Sequence, residues 1–514
     1  MAVRINTGTP HATLNKPLRF NRVTVSPMAK FYITTPIFYV NDRAHIGHFY
    51  TMVIADTLAR WHRLKGDDVL FLTGTDEHGE KMVKAAAASG KEPQQFVDEL
   101  ATSFRDTWNE LGISYDDFIR TTEQRHIDTV TRFLERMQKN GDLYRGVYEG
   151  WYCVPDETFF TELQLKDGKC PQCGREVTRL KEESYFFKLG AYRERLLRFY
   201  EENPEFLSPA LRSQEILNRV RGGLKDLSIS RATVTWGIPL PMDKSFTVYV
   251  WVEALINYLS ALNWPDTEKM RMWPADVHIV GKEINWFHSV IWPAMLMSAG
   301  VQPPRKVFAH GWWTVDGEKM SKSKGNAIDP IKMVQRYQTD ALRYFMLREM
   351  PLGDDGDFSE KKLVARINGE LVADLGNLAS RILTLAERFD GKLEGAADLE
   401  GELELEQINH FMDAGDLFQA IEEIWAFIRA CNKYINEMRP WELGGEELGR
   451  VLYNLAESLR IISILISPFM PQTSGRINEQ LGVVAGTLND CTFRRFDGRI
   501  KKGSHLFEKI EQEK

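Results

Sequence analysis

Two histidines three positions apart, His45 and His48, bracket Ile46 and Gly47 where a strand-like run gives way to a helical one. A helix N-terminus presents free backbone N–H groups and a partial positive charge, which suits phosphate. Gly47 lets a flat ring approach the backbone closely. The two imidazoles lie on one helical face as donors. Roughly 270 positions later the chain reads KMSKSKGN (319–326), with Lys319 and Lys322, and Lys324 just behind them, among serines and glycine. Such lysines are not general bases at neutral pH unless strongly desolvated. They can neutralise charge that develops on phosphorus and on departing pyrophosphate. Each stretch alone has a plainer reading, a helix-capping histidine pair and a solvated turn. Together they describe a loop that closes over a polyphosphate held at a helix end.

A second cluster could hold a metal. The order is Cys153, Asp156, then Cys170 and Cys173 in the turn C-P-Q-C-G. Two thiolates on one tight turn are half of a tetrahedral zinc site. Asp156 stands where a second cysteine would complete the other half, and a carboxylate oxygen can ligate zinc. Cys153, Asp156, Cys170 and Cys173 therefore make a structural zinc knuckle or the remnant of one. Ile37, Tyr39, Trp251, Ala254, Leu255, Tyr258, Ile284 and Phe287 supply aromatic and aliphatic surface, and each taken singly reads as core.

The elements that must position these groups follow from periodicity. KFYITTPIFYV (30–40) is β-branched and aromatic and predicts a buried strand. Residues 45–66 predict a helix with Phe49, Val53, Leu58 and Trp61 on one face and Gly66 as its stop. DDVLFLTGTDEHG (67–79) predicts a second strand ending in a glycine-rich loop. Strand, helix, strand predicts a doubly wound parallel sheet. The pattern breaks at 144, resumes after 238, and from about 366 is helical to near 480. The stretch from 328 to 349 reads as one helical run.

Bulk composition excludes several classes. The chain has 514 residues, 43% hydrophobic and 27% charged, which is neither disordered nor fibrous. No apolar run approaches the roughly 18 residues that span a bilayer, and IISILISPFM (461–470) reads as a core helix. A formal charge of −7 excludes a wholly basic nucleic-acid binder but leaves room for a local patch. Five cysteines, an odd number, point to a reducing compartment.

The paired motifs resemble those of the class I aminoacyl-tRNA synthetases. TPIFYVN (35–41), GTDEHG (74–79), VYVWVEALINY (248–258), GKEINWFHSVIWPAML (281–296) and HGWWTVDGEKMSKSKGN (310–326) are similar to blocks of the methionyl family. The resemblance runs from residue 30 nearly to the end. It implies an α/β Rossmann catalytic domain of the HIGH/KMSKS type. A small zinc-knuckle domain is inserted in it, and an all-α helical bundle that binds the anticodon follows. It implies activation of L-methionine by Mg²⁺-ATP and transfer to tRNA(Met). ATP would meet His45, Gly47, His48, Lys319, Ser321, Lys322 and Ser323, with His45, His48, Lys319 and Lys322 catalytic. Methionine would meet Ile37, Tyr39, Asp76, Trp251, Ala254, Tyr258, Ile284 and His288, with Asp76 holding the ammonium and Tyr39 and His288 offering polar contact to sulfur. Asn377, Arg381, Asn432, Pro440 and Trp441 would read the anticodon. Arg336, Arg343, Arg348, Lys361, Lys362 and Arg366 would track the acceptor stem, or form a solvated face.

The expected division is an extension (1–29), the catalytic domain in two parts (30–143 and 239–325), the insertion (144–238), a linker (326–366) and the bundle (367–514). The insertion is too short for the hydrolytic domain with which leucyl, isoleucyl and valyl relatives correct errors, which favours methionine. The expectation is a cytoplasmic monomer with no membrane partner. Residues 1–29, basic and without acids, read as a start upstream of the domain or as an organellar import segment. Two rivals stand beside this reading: a non-catalytic tRNA-binding paralogue, and a synthetase for cysteine or leucine.

Overall fold

The computed structural model describes residues 29–40, 43–154, 158–160, 162–171, 173–315, 317–320, 326–395 and 397–511. The organellar-import reading falls on residues 1–29, of which all but residue 29 lie outside that set.

The β-branched and aromatic run at the start forms the strand Lys30–Tyr39, which lies in the middle of a six-stranded sheet. Across the sheet the order is Asp117–Arg120, Asp68–Asp76, Lys30–Tyr39, Val277–Gly281, Val307–His310 and Leu207–Ser208. Every pairing is parallel. This is the doubly wound order: all strands run the same way, and the direction in which successive strands are added reverses between Lys30–Tyr39 and Val277–Gly281. Ligands bind beyond the carboxyl ends of the strands at such a switch point. Tyr39, Asp76, Gly281 and His310 end four of the strands.

The helix Ile46–Lys65 follows the first strand and stops at Gly66, whose φ of 89° only glycine adopts at little cost. Phe49, Val53, Leu58 and Trp61 are all buried beneath it. The predicted single helical run after 327 is instead two helices, Pro330–Tyr337 and Thr339–Arg348. Gln338 between them has φ of 69°, which breaks the hydrogen-bond ladder.

The inserted region forms an antiparallel sheet of Thr158–Phe160, Leu143–Cys153, Thr178–Phe187 and Leu227–Ser228. The chain does not stay outside the core throughout 144–238. Leu207–Ser208 returns to pair with Val307 and Phe308 at the edge of the central sheet. A third, small sheet pairs Trp313–Val315 with Glu318–Lys319 and Gly356–Phe358.

From Glu360 to Leu481 the described residues are mainly helical, with the long helices Leu417–Met438 and Gly445–Ile466 at the centre of a bundle, and from 482 to 511 the chain is largely irregular. The run 461–466 is buried in the second of these, as a core helix should be. The bundle is fastened to the catalytic half by one fully buried ion pair. Arg343 Nη1 lies 2.7 Å from Asp56 Oδ2 in the first helix, and its Nε and Nη2 donate to the carbonyls of Phe469 and Pro468. Among the described residues no helix is long and apolar enough to cross a membrane.

Candidate active site and zinc knuckle

A cleft of about 1050 Å³ opens at the carboxyl ends of the central strands, on the switch point. His45, Gly47 and His48 line it, as do all eight residues assigned to methionine: Ile37, Tyr39, Asp76, Trp251, Ala254, Tyr258, Ile284 and His288. Met320, at the start of the lysine-rich loop, lines it too.

The two histidines cap the helix Ile46–Lys65. Nδ1 of His45 accepts from the Gly47 N–H at 3.1 Å, and Nδ1 of His48 accepts from the His45 N–H at 3.2 Å. Each neutral ring therefore carries its proton on Nε2, the atom turned away from the backbone. The rings stack at 3.8 Å between centroids. Desolvation, and then the neighbouring His45, hold His48 well below the usual histidine range. The capping reading and the donor reading of this pair are thus one arrangement: the caps fix the tautomer that can donate.

The loop after Met320 is pinned at both ends to this helix. A Cβ built on Gly47 would meet the Met320 methyl at 3.7 Å. Beyond the loop, the carbonyl of Ile328 accepts from the Ile46 N–H at 2.9 Å. Lys319 pairs with Thr314 in the small sheet. Ser321, Lys322 and Ser323 lie outside the described residues.

The amino-acid end of the cleft is neutral at its base. His288 Nδ1 faces the Ile284 carbonyl at 3.0 Å, so that nitrogen carries the proton, and Nε2 accepts from the Tyr258 hydroxyl at 2.7 Å. Burial lowers His288 to about 4 and raises Tyr258. Both polar positions of the imidazole are used within the wall. Through these two bonds His288 orients Tyr258, and any polar contact it makes to sulfur is made with both ring nitrogens already engaged. Behind them His278 stacks on Tyr258 at 4.1 Å and is held by Thr34 and Trp292. Trp251 stacks on Phe287 at 4.5 Å and meets Tyr39 edge-on at 6.0 Å.

Asp76 ends its strand opposite Tyr39 in the register and is buried. The loop after it is clamped to the helix that carries Trp251 and Ala254. His78 Nδ1 donates to both oxygens of buried Glu253, at 2.9 and 3.0 Å. His126 reaches Glu253 from the other side at 3.7 Å. Burial alone would lower His78 and raise Glu253; their mutual charge reverses both shifts. Sequence reasoning missed this clamp, since nothing in the sequence separates a buried histidine from a core one.

It also missed Lys282, Glu283 and Trp312 at the ends of two strands. Trp312 Nε1 donates to Glu283 at 2.6 Å, and the Lys282 ammonium lies 4.1 Å from the Trp312 ring centroid and pairs with Asp355. The switch-point rule pointed to them, because they follow directly on Gly281 and His310.

In the inserted sheet the sulfurs of Cys153, Cys170 and Cys173 all lie within 4.8 Å of one another, with Cys153 and Cys173 at 3.6 Å. The Gly174 N–H donates to the Cys170 carbonyl at 2.9 Å, closing the turn that carries two of them. Three thiolates at these spacings fit one tetrahedral zinc ion. Asp156, assigned as the fourth ligand, lies outside the described residues.

In the bundle, Arg381 lies 5.5 Å from the ring centroid of half-exposed Trp441 and donates to Asn436 at 2.8 Å. Asn377 is exposed, and Asn432 donates to the Asp374 carbonyl at 3.2 Å. Pro440 is buried, so it shapes the turn under Trp441 and presents no face to a base. The acceptor-stem strip is corrected at two of its six positions, while Arg336, Lys361 and Lys362 stay exposed. Arg343 and Arg348 are buried, the first on Asp56 and the second on Glu370 and Glu422. Arg336, Lys362 and Arg366 are paired with Glu360, Glu349 and Glu370.

A doubly wound sheet, a histidine-capped helix at its switch point and a distal lysine loop pinned to that helix define a class I aminoacyl-tRNA synthetase. The family model described as tRNA synthetases class I (M) matches residues 31–182 and 177–383, and the chain belongs to that family. It is 49% identical over 513 residues to a methionine–tRNA ligase of Caldanaerobacter subterraneus subsp. tengcongensis, covering 94% of this chain and 79% of the relative. Against the Thermotoga maritima methionine–tRNA ligase the identity is 50% over 468 residues, covering 87% and 74%. The solved Mycobacterium tuberculosis methionyl-tRNA synthetase in complex with methionyl-adenylate superposes with a TM-score of 0.90 at 40% identity, over 93% of this chain and 100% of that one.

Proposed function

We propose that the chain is a methionine–tRNA ligase. It activates L-methionine with ATP to methionyl-adenylate, releasing pyrophosphate, and transfers the methionyl group to the 3′-terminal adenosine of tRNA(Met). The observation that carries this is the cleft in which the histidine-capped helix, Met320 of the lysine loop and the aromatic pocket meet.

In the first step an oxygen of the methionine carboxylate attacks the α-phosphorus in line, and the bond to the pyrophosphate oxygen breaks. No protein nucleophile is required; positioning and charge stabilisation do the work. Asp76 takes the ammonium. Trp251, Tyr39 and Ala254 take the thioether, which is soft and packs well on aromatic edges. Nε2–H of His45 and His48 donates to phosphate oxygens, while Lys319 and Lys322 neutralise charge in the transition state and on the leaving group. In the second step a terminal ribose hydroxyl attacks the adenylate carbonyl, and AMP leaves.

Mg²⁺ would accompany ATP and supply positive charge against the phosphates. Cys153, Cys170 and Cys173, with Asp156 as fourth ligand, would hold zinc in a structural role, where it would fix the turn and take no part in the chemistry. Asn377, Arg381, Asn432 and Trp441 contact the anticodon. A monomeric state and a cytoplasmic location belong to this proposal as well.

Amino-acid-dependent ATP–pyrophosphate exchange, run with methionine, leucine and cysteine, tests the reading. Exchange with methionine alone is expected. Exchange with either other amino acid at equal kcat/KM overturns the assignment, and no exchange at all favours a binding-only protein.

A further inference from the structure

The cleft continues past the methionine pocket towards the zinc knuckle, and that arm has no task in making the adenylate. One wall is a single face of the helix Ala210–Arg221, on which Arg212, Glu215, Ile216 and Arg219 recur at helical spacing and all line the cleft. Gln164, Pro171 and Arg175 of the knuckle region line it as well. Three arginines against one glutamate make this arm cationic.

Arg219 has an unusual posture. Its guanidinium carbon lies 3.7 Å from the centroid of the Trp286 ring, so the two planes are in van der Waals contact. The side chain stays exposed. Trp286 sits between Ile284 and His288 in the sequence, so this stack adjoins the amino-acid pocket. A guanidinium plane backed by an indole is a surface on which a base can stack while its phosphate meets positive charge. The second substrate must bring a flexible, single-stranded, anionic end to the adenylate.

Resting on the methionine–tRNA ligase reading, we propose that the Arg219–Trp286 stack is the platform for the unpaired 3′-terminal nucleotides of the tRNA, with Arg175, which lines the same cleft, for their phosphates. The platform holds the terminal ribose at the adenylate during transfer. It takes no part in activation, because none of the residues assigned to methionine or ATP belongs to it.

The test compares intact tRNA(Met) with tRNA(Met) lacking its last three nucleotides. Wild-type enzyme is expected to bind the intact form more tightly by about tenfold, the loss that follows from roughly one stacked base. Arg219→Ala is expected to abolish that difference. Arg219→Lys keeps the charge and loses the plane, and is expected to behave like alanine. The transfer rate from preformed adenylate should fall about tenfold in both. Retained discrimination in Arg219→Ala overturns the proposal. A rise in KM for ATP during exchange also overturns it, by assigning the stack to the nucleotide. Failure of wild-type enzyme to exchange pyrophosphate on methionine would instead overturn the underlying reading.

Discussion

The backbone N–H of Ile46 donates to the carbonyl of Ile328 at 2.9 Å. One hydrogen bond thus joins the first turn of the histidine-capped helix to the chain leaving the lysine loop, far away in sequence. Met320, at the loop's other end, rests against Gly47. Whatever the loop does between these two points, its ends stay on the helix that faces the phosphates.

Gly47 should not tolerate even a methyl group. A Cβ there would lie 2.9 Å from Cε1 of His45. That ring cannot swing aside without losing its bond to the Gly47 N–H and its stack on His48, a cap worth about 1 kcal/mol. Gly47→Ala should therefore lower the kcat/KM of pyrophosphate exchange by at least about tenfold, a loss of roughly 1.4 kcal/mol. The thermal midpoint should move little. A large fall in the midpoint with exchange intact would show that the glycine serves the fold alone.

The Asp56–Arg343 pair should behave as a rivet between the catalytic half and the bundle. Burial alone would raise the Asp56 carboxyl, but Arg343 and Arg60 hold it below the usual carboxylate range. Asp56→Asn leaves the Arg343 charge buried without its partner, at a cost of about 3–5 kcal/mol. Urea titration should show the loss. Replacing both residues with Asn and Met should recover part of it. Because the folded pKa is depressed, this contribution is present above the unfolded value of about 3.9 and disappears as pH falls through the folded one. Equal losses in single and double variants would refute the pairing.

His288 should titrate in the same sense but in a higher pH window. Its folded pKa, near 4, lies below the unfolded value of about 6.5. Its stability contribution is therefore complete above about pH 6.5 and erodes as pH falls towards 4. Methionine KM should show no histidine titration from this group between pH 8 and 6. His288→Leu leaves the buried Tyr258 hydroxyl without its acceptor, a penalty of about 1–3 kcal/mol. Exchange kinetics should show methionine KM raised roughly 5- to 150-fold, while ATP KM changes little. A matching rise for ATP would place the residue elsewhere in the reaction.

The cysteines should divide three to two. Burial pushes Cys431 and Cys491 up to about 12, so neither offers a thiolate at neutral pH. Cys153, Cys170 and Cys173 would be masked by zinc. A thiol reagent should find almost nothing in the native protein, three fast thiols after chelation, and five in denaturant. Metal analysis should give one zinc per chain. No zinc, with Cys153 and Cys170 still slow before any chelator is added, would mark the knuckle as folded without metal.

The catalytic half was largely legible because its signals are local. The strand at 30–40, the helix ending at Gly66 and the loop at Asp76 follow from side-chain period and glycine placement. The cleft residues were legible because they cluster in a few recognisable blocks. What stayed hidden depends on tertiary neighbours. Arg343 reads as a surface cation until Asp56 is brought to it. Gln338 reads as mid-helix until its backbone turns left-handed. Leu207–Ser208 is too short to announce a strand, yet it closes the edge of the sheet. The histidines at 78 and 126 carry no mark of the glutamate at 253 that orders them.

Trp441 gives the clearest separation of the two halves of the molecule. Its ring is 53% exposed on the bundle, with the Arg381 guanidinium 5.5 Å from its centroid. A large aromatic left half in solvent beside an arginine plane suits a splayed base, and stacking of that kind is worth about 1–3 kcal/mol. Trp441→Ala should raise the KM for tRNA(Met) in charging by roughly 5- to 150-fold and leave pyrophosphate exchange untouched. Arg381→Lys keeps the charge but loses the plane and its bond to Asn436, so it should show a smaller loss of the same kind. If exchange falls together with charging in Trp441→Ala, the tryptophan anchors the bundle and the anticodon must be read elsewhere.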